Sequence, residues 1–183
     1  MNLKKILDQI NINADWIGLR EVKETTTYRI IRDLNPEANN ISIDHGVMIE
    51  VLANGQFGYY GTHDLSFNAI KNAAENAYSQ AIKASKYAVH SFSEEVRPKT
   101  TGEYNSTYKI KNIELNDLMD VLVESNKVLK KSEKVVSALS MARLVDMDMK
   151  FVSTNGSDFS QSFMYVASGF RVIAQDGKNI QSR

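Results

Sequence analysis

The chain lacks cysteine altogether, holds two prolines and one tryptophan, and carries no net charge. Without cysteine, disulfides, thiolate metal sites and thiol catalysis are excluded. The balance of 22 Lys plus Arg against 22 Asp plus Glu counts against a dedicated nucleic-acid binder, which would carry a marked basic excess. No apolar run reaches the roughly 18 residues that read as a membrane-crossing helix. The start, Met1-Asn2-Leu3-Lys4-Lys5-Ile6-Leu7-Asp8, has two lysines but no apolar segment behind them, because Asp8, Gln9, Asn11 and Asn13 interrupt it. A cytoplasmic protein without a membrane partner is the expectation. Also missing are a Gly-x-Ser-x-Gly elbow, a phosphate-binding Walker loop and a dinucleotide glycine fingerprint. The three histidines, His45, His63 and His90, are not spaced as helix-borne metal ligands, so no metal site is expected in this chain.

What is present suits a globular protein of one domain or two small ones. In 183 residues the hydrophobic fraction is 43% and the charged fraction 24%, enough to build a core without staples. Leu3, Ile6, Leu7 and Ile10 fall on one helical face, with Asn2 as its cap. Trp16 to Val22 and Thr25 to Arg32 read as strands, rich in β-branched and aromatic residues. Asn35-Pro36, with Asn39-Asn40, marks a loop.

The stretch Asp44 to Ser66 is the most informative. Val47, Ile49 and Val51 alternate with Met48, Glu50 and Leu52, as in a strand with one buried face. Asn54-Gly55 suits a two-residue hairpin turn, and Phe57-Gly58-Tyr59-Tyr60-Gly61 returns as a strand. Ser66 caps a helix over about Phe67 to Lys86, striped by Ile70, Ala73, Ala74, Ala77, Tyr78, Ala81 and Ile82. The alanines let this helix approach a sheet closely. Residues Ala88 to Ser106 read as a long exposed connection.

A further helix carries Leu115, Leu118, Met119, Leu122, Val123 and Leu129 on one side. Lys127, Lys130, Lys131 and Lys134 gather at its C-terminal end, where the macrodipole favours cations; a solvated helix end is the ordinary reading. Val135 to Val145 and Met147 to Phe151 read as strands, and Asn155-Gly156 as a second turn. Phe159 to Ala174 is a long strand ending at an Asp176-Gly177 turn. The expected class is α+β, an antiparallel or mixed sheet of hairpins with helices packed on one side. The element order hints at two similar halves, 1–90 and 110–183, joined by a linker at about 88–108. Asn179-Ile180-Gln181 reads as the opening of a returning strand just before the chain stops. So short a strand leaves its neighbour an unpaired edge, and the expectation is a piece of a longer protein.

Paired carboxylates offer little chemistry. Asp64 beside His63 reads as an aid to the Ser66 cap, while Asp146 with Asp148 and Glu94 with Glu95 read as solvated pairs. The aromatic strand is weighed two ways. Phe57 and Tyr59 share one face and are expected beneath the alanine-rich helix. Alternatively the strand holds an extended peptide by backbone pairing, with Tyr60, Gly58 and Gly61 as its contact residues.

Several of these residues carry a resemblance to a known family. Gly46, Val47-Met48-Ile49, Asn54-Gly55, Phe57-Gly58-Tyr59, Thr62, Asp64-Leu65-Ser66 and the alanines from Ala73 to Ala84 resemble the N-terminal domain of the TldD/PmbA family. The later Ser153-Thr154-Asn155-Gly156-Ser157, with Gln161, is similar to a hairpin of the same family. The resemblance implies a cytosolic zinc-dependent peptidase, a hydrolase acting on peptides and unfolded polypeptides. It also implies a homo- or heterodimer with a family member, and an older label of modulator of DNA gyrase. In that family zinc is held by His-Glu-x-x-x-His in a C-terminal domain, or is absent in PmbA-type partner subunits. This sequence contains no such motif, so no catalytic or metal residue is carried over and the chain alone is expected to be inactive. Rival readings are a non-catalytic partner subunit of PmbA type and a regulatory binding protein.

Overall fold

A computed structural model of the chain describes residues 1–106 and 115–183. The expected linker at 88–108 and the expected half at 110–183 both run into residues 107–114, which lie outside the described residues, as does the side chain of Leu115. The order is α1 (Leu3–Leu7), β1 (Trp16–Arg32), β2 (Asn35–Ala53), β3 (Gln56–Thr62), α2 (Phe67–Ser85), β4 (Thr101–Asn105), α3 (Leu115–Leu129), β5 (Val135–Ser153), β6 (Asp158–Asp176) and β7 (Asn179–Ser182). The class is α+β. The strands hydrogen-bond in the order β3-β2-β1-β5-β6-β4, with β7 on β6. Pairing is antiparallel for β2 with β3 and for β6 with β7, while β4 runs parallel to β6, so the sheet is mixed. Among the described residues no helix is long and apolar enough to cross a membrane.

Three expectations about strands change. Trp16 to Arg32 is one continuous strand, as is Val135 to Ser153, because the polar residues between their apolar runs stay in the ladder. Asn35-Pro36 and Asn39-Asn40 belong to β2 and mark no loop; the turn falls just before them, at Asp33-Leu34. The connection after α2 also contains a short 3-10 turn, Glu94–Val96, and the strand β4.

The chain clusters into two units. The first holds Met1–Glu24, Asp44–Ser106 and Met147–Ser162. Asn2 caps α1 by accepting from the Lys5 amide at 3.0 Å, and Leu3 and Leu7 enter the core. Ser66 caps α2 by accepting from the Ala69 amide at 3.3 Å, with Asp64 in turn accepting from the Ser66 amide at 2.9 Å. That hydrogen bond holds the Asp64 carboxyl below its ordinary range. Ile70, Ala73, Ala74 and Ala77 of α2 pack with Ile17 and Leu19 of β1 and with Val47, Ile49 and Val51 of β2. At Asn54-Gly55 both residues take positive φ, 50° and 72°, as a two-residue hairpin turn requires.

The second unit holds Thr25–Ile43, the described residues of 107–146, and Phe163–Arg183. Leu122 of α3 packs with Ile31 and Ala142, flanked by Leu118, Met119 and Val123. The β1–β2 turn places Asp33 at φ 50° and Leu34 at φ 68°. That left-handed conformation costs a residue with a side chain about 1 kcal/mol or more. Polar side chains hold it in place. Asp33 accepts from the Ala138 amide at 3.0 Å and from Lys130 Nζ at 2.9 Å. Asn126, 0% exposed, accepts from the Leu34 amide at 2.9 Å. The Asn126 amide nitrogen also donates to the carbonyls of Ile31 and Ala138 at 3.3 and 3.0 Å. The lysines near the end of α3 are largely matched: Lys127 with Glu124 at 2.5 Å, Lys130 with Asp33 at 2.9 Å, and Lys134 with Asp176 at 2.6 Å.

Two outcomes follow for this unit. Asn126→Leu strands the Leu34 amide and lowers stability by about 1–3 kcal/mol, read by urea denaturation. The Asp33 carboxyl is held below its ordinary range, first by the Lys130 hydrogen bond and then by the Ala138 amide. Its stabilisation is therefore present above the unfolded carboxyl value of about 3.9 and is lost as pH falls through the lower folded value. The stability advantage of the native chain over Asp33→Asn shrinks below about pH 4; an advantage that grows there contradicts the assignment.

Candidate functional site

The strands of the first unit have two differently used faces. On one face Ile17, Leu19, Val47, Ile49, Val51 and Val152 meet α1 and α2. The alternate positions Trp16, Gly18, Arg20, Met48, Glu50, Met149 and Phe151 point the other way and line a cavity of ≈ 430 Å³. In β3 the register sets Tyr59 against Glu50 and Phe57 against Leu52, which places both aromatics on the cavity side. The expectation that they lie beneath α2 is corrected: Gly58 lies there instead. A Cβ at Gly58 would sit 1.9 Å from the Ala77 carbonyl oxygen and 2.8 Å from the Ala81 nitrogen. No side chain fits between β3 and the helix backbone.

The segment after α2 forms a strap along this cavity. Its first anchor is the β2–β3 turn, where the Phe92 amide donates to the Gly55 carbonyl at 2.8 Å and Gln56 donates to the His90 carbonyl. Its second anchor is the β5–β6 turn. Asn155 donates to the Arg97 carbonyl at 2.8 Å, and the Thr100 amide donates to Ser157 Oγ at 3.1 Å. Between the anchors Arg97 crosses the Phe57 ring at 4.9 Å and donates to Glu50 through Nε, at 3.0 Å, and through Nη2. Glu50 is a half-buried carboxylate, and the guanidinium supplies the partner that burial demands. The hydrogen bond to Glu50 raises the Arg97 value further above its ordinary range. Burial, followed by the neighbouring Glu50 charge, pushes the Tyr59 phenol up, so it stays neutral.

Aromatic rings supply the rest of the wall. Trp16 lies 6.3 Å from Phe151, and Phe151 lies 5.1 Å from Phe159, all ring-centroid distances. Their apolar faces, with the thioethers of Met48 and Met149, suit an apolar ligand group. Arg20 completes the lining. Among the described residues its one hydrogen bond goes to Met48 Sδ, a weak acceptor, at 3.4 Å.

The residues singled out in the sequence are placed as follows. Gly61 pairs with Met48 on the cavity side, Gly58 is buried under α2, and Tyr60 pairs with Ile49, 42% exposed. His45 meets Glu21 at 2.9 Å, His90 stacks edge-on to Phe92 at 4.8 Å, and Asp148 accepts from Ser162 at 2.6 Å. Among the described residues no group of three or more His, Cys, Asp or Glu could hold a metal, so the donor set here does not fit zinc. Sequence reasoning missed Trp16, Arg20, Glu50, Arg97, Phe151 and Phe159. The alternation Trp16-x-Gly18-x-Arg20 was the available signal, but it names a face without saying what lies over it.

Residues 19–81 match the family described as PmbA/TldA metallopeptidase domain 1. A candidate modulator of DNA gyrase from Thermotoga maritima is similar over 99% of this chain and 42% of its own, at 16% identity and a TM-score of 0.67. A second candidate modulator, from Bacteroides thetaiotaomicron, is similar over 98% of this chain and 42% of its own, at 14% identity and a TM-score of 0.68. TldE from Thermococcus kodakarensis is similar over 98% and 40%, at 14% identity and a TM-score of 0.56. A search of curated proteins gives no match. Over nearly its whole length the chain thus has a fold found in these proteins, while spanning about two-fifths of their length.

The close approach at Gly58 is directly testable. Gly58→Ala forces α2 off β3 and costs about 1–3 kcal/mol, as overpacking does. At Gly61 a Cβ meets nothing nearer than the Val47 oxygen at 4.0 Å, so Gly61→Ala shifts the thermal midpoint far less. Equal losses at the two sites contradict this packing.

Proposed function

We propose that this chain is the non-catalytic N-terminal part of a TldD-type zinc-dependent peptidase that acts on peptides or unfolded polypeptides. The observation that carries the reading is the aromatic-lined cavity, to which residues 19–81, the part that matches a metallopeptidase first domain, contribute Arg20, Met48, Glu50 and Tyr59. In this role the chain forms a wall of the substrate cavity: Tyr59 and Gly61 face a bound peptide from β3, and Tyr60 meets a partner on the other side. Ile41 and Ile43, both exposed on β2, supply apolar surface for a dimer contact with a family member. Zinc and the proteolytic groups come from a C-terminal part beyond these residues, and the compartment is the cytoplasm.

A second reading, a PmbA-type partner subunit without its own zinc, is supported by the likeness to TldE. Direct binding to DNA is not proposed, since the chain is neutral and the α3 lysines are largely ion-paired.

The reading frame beyond Arg183 separates these readings. A longer product bearing His-Glu-x-x-x-His should cleave an unfolded peptide in a zinc-dependent way. In that product Tyr59→Ala should raise KM about tenfold, roughly 1.4 kcal/mol of binding, while kcat changes less than about twofold. A longer frame without the motif assigns the partner subunit. A product bearing the motif that cleaves no peptide with zinc present removes the peptidase reading.

A further inference from the structure

The charges around the cavity do not cancel. Its lining includes Arg20, Arg97 and Glu50, and Glu50 is matched by Arg97. Arg20 is exposed and has no carboxylate partner among the described residues; its one contact is the Met48 thioether. A guanidinium at the rim of an aromatic cavity matches a carboxylate attached to an apolar body, since its planar fork pairs two oxygens at once.

A second observation concerns Trp16, which lines the same cavity. The residue is 1% exposed, and its indole Nε1 has no hydrogen-bond partner among the described residues. A buried N–H of this kind is costly, and it marks the Trp16 end of the wall as tightly packed. Trp16 and Arg20 stand four positions apart on one face of β1, about 13 Å along the strand. A short extended peptide spans that length, with its terminal carboxylate at Arg20 and apolar side chains along the aromatic wall. A volume of ≈ 430 Å³ falls in the lower part of the range for small-ligand sites, about 300–1,000 Å³. It fits the end of a peptide and is too small for a folded partner.

We propose that this cavity captures the C-terminal end of a peptide, with the free carboxylate on Arg20 and large apolar final side chains against Trp16, Phe151 and Phe159. The inference rests on the peptide-binding reading above and narrows it to chain ends. Glu50 does not repel the incoming carboxylate, because Arg97 already holds it. Tyr59, kept neutral by its surroundings, adds no negative charge to the site.

The test uses the chain's single tryptophan, Trp16, as the reporter. The probes are acetyl-Gly-Ala-Leu-Phe with a free C-terminal carboxylate and the same peptide as its C-terminal amide, each titrated by fluorescence and calorimetry. The acid should bind about tenfold or more tighter than the amide, and added salt should narrow the gap. Arg20→Met should abolish the preference of acid over amide, and Arg20→Lys should restore part of it. Arg20 is exposed, and a circular dichroism spectrum confirms that each variant folds. Equal affinity for acid and amide in the native chain overturns capture of the terminus but leaves the peptide cavity standing. No binding of either probe, with unchanged tryptophan emission, overturns both.

Discussion

The absence of a side chain at one position, Gly58, fixes the layout of the first unit. Because the α2 backbone presses directly on β3 there, the small face of the strand is the helix face and the aromatic face is turned away. Alanines at 73, 74, 77 and 81 extend the same close approach along the helix. The gain is dispersion and burial of apolar area at short range. The large rings of Phe57 and Tyr59 have no room on that side and collect on the other. The cavity is thus a by-product of packing as much as a designed pocket: its walls are the side chains that the helix interface cannot accommodate.

Much of this was legible in the sequence because local rules governed it. Asn2 and Ser66 cap their helices as their side chains suggest, the Asn54-Gly55 turn takes its positive φ angles, and Val47, Ile49 and Val51 face the core as their alternation implies. Where the reading failed, a distant partner decided. Asp33-Leu34 has no glycine to announce a left-handed turn, and Asn126, ninety-two positions on from Leu34, holds it in place. Asn35-Pro36 looks like a loop by composition, yet it enters β2 immediately after that turn. The face of Phe57 and Tyr59 was misjudged because alternation gives two faces but does not label them; the label came from the space the alanines leave.

The candidate site shows the same division. Gly61 and the Gly-aromatic strand could be picked out from composition and turn signals. Glu50 and Arg97 could not, because nothing in a linear reading pairs a strand carboxylate with an arginine 47 positions on. That pair also differs in kind from the Asp33–Lys130 pair in the second unit. Asp33 supports a strained turn through a backbone amide as well as a cation. Glu50 and Arg97 instead tie a connecting segment to a sheet face, neutralising a half-buried charge that would otherwise be costly.

The strap's two anchors are built largely from main-chain groups: the carbonyls of Gly55, His90 and Arg97 and the amides of Phe92 and Thr100. Such anchors do not depend on which side chains the strap or the strand face presents between them. Lineages can therefore exchange the residues at positions such as Met48, Met149 and Phe159 without loosening the frame, so ligand preference can drift while the architecture persists. A low shared identity with proteins of the same fold is what such a separation of frame and lining would leave behind.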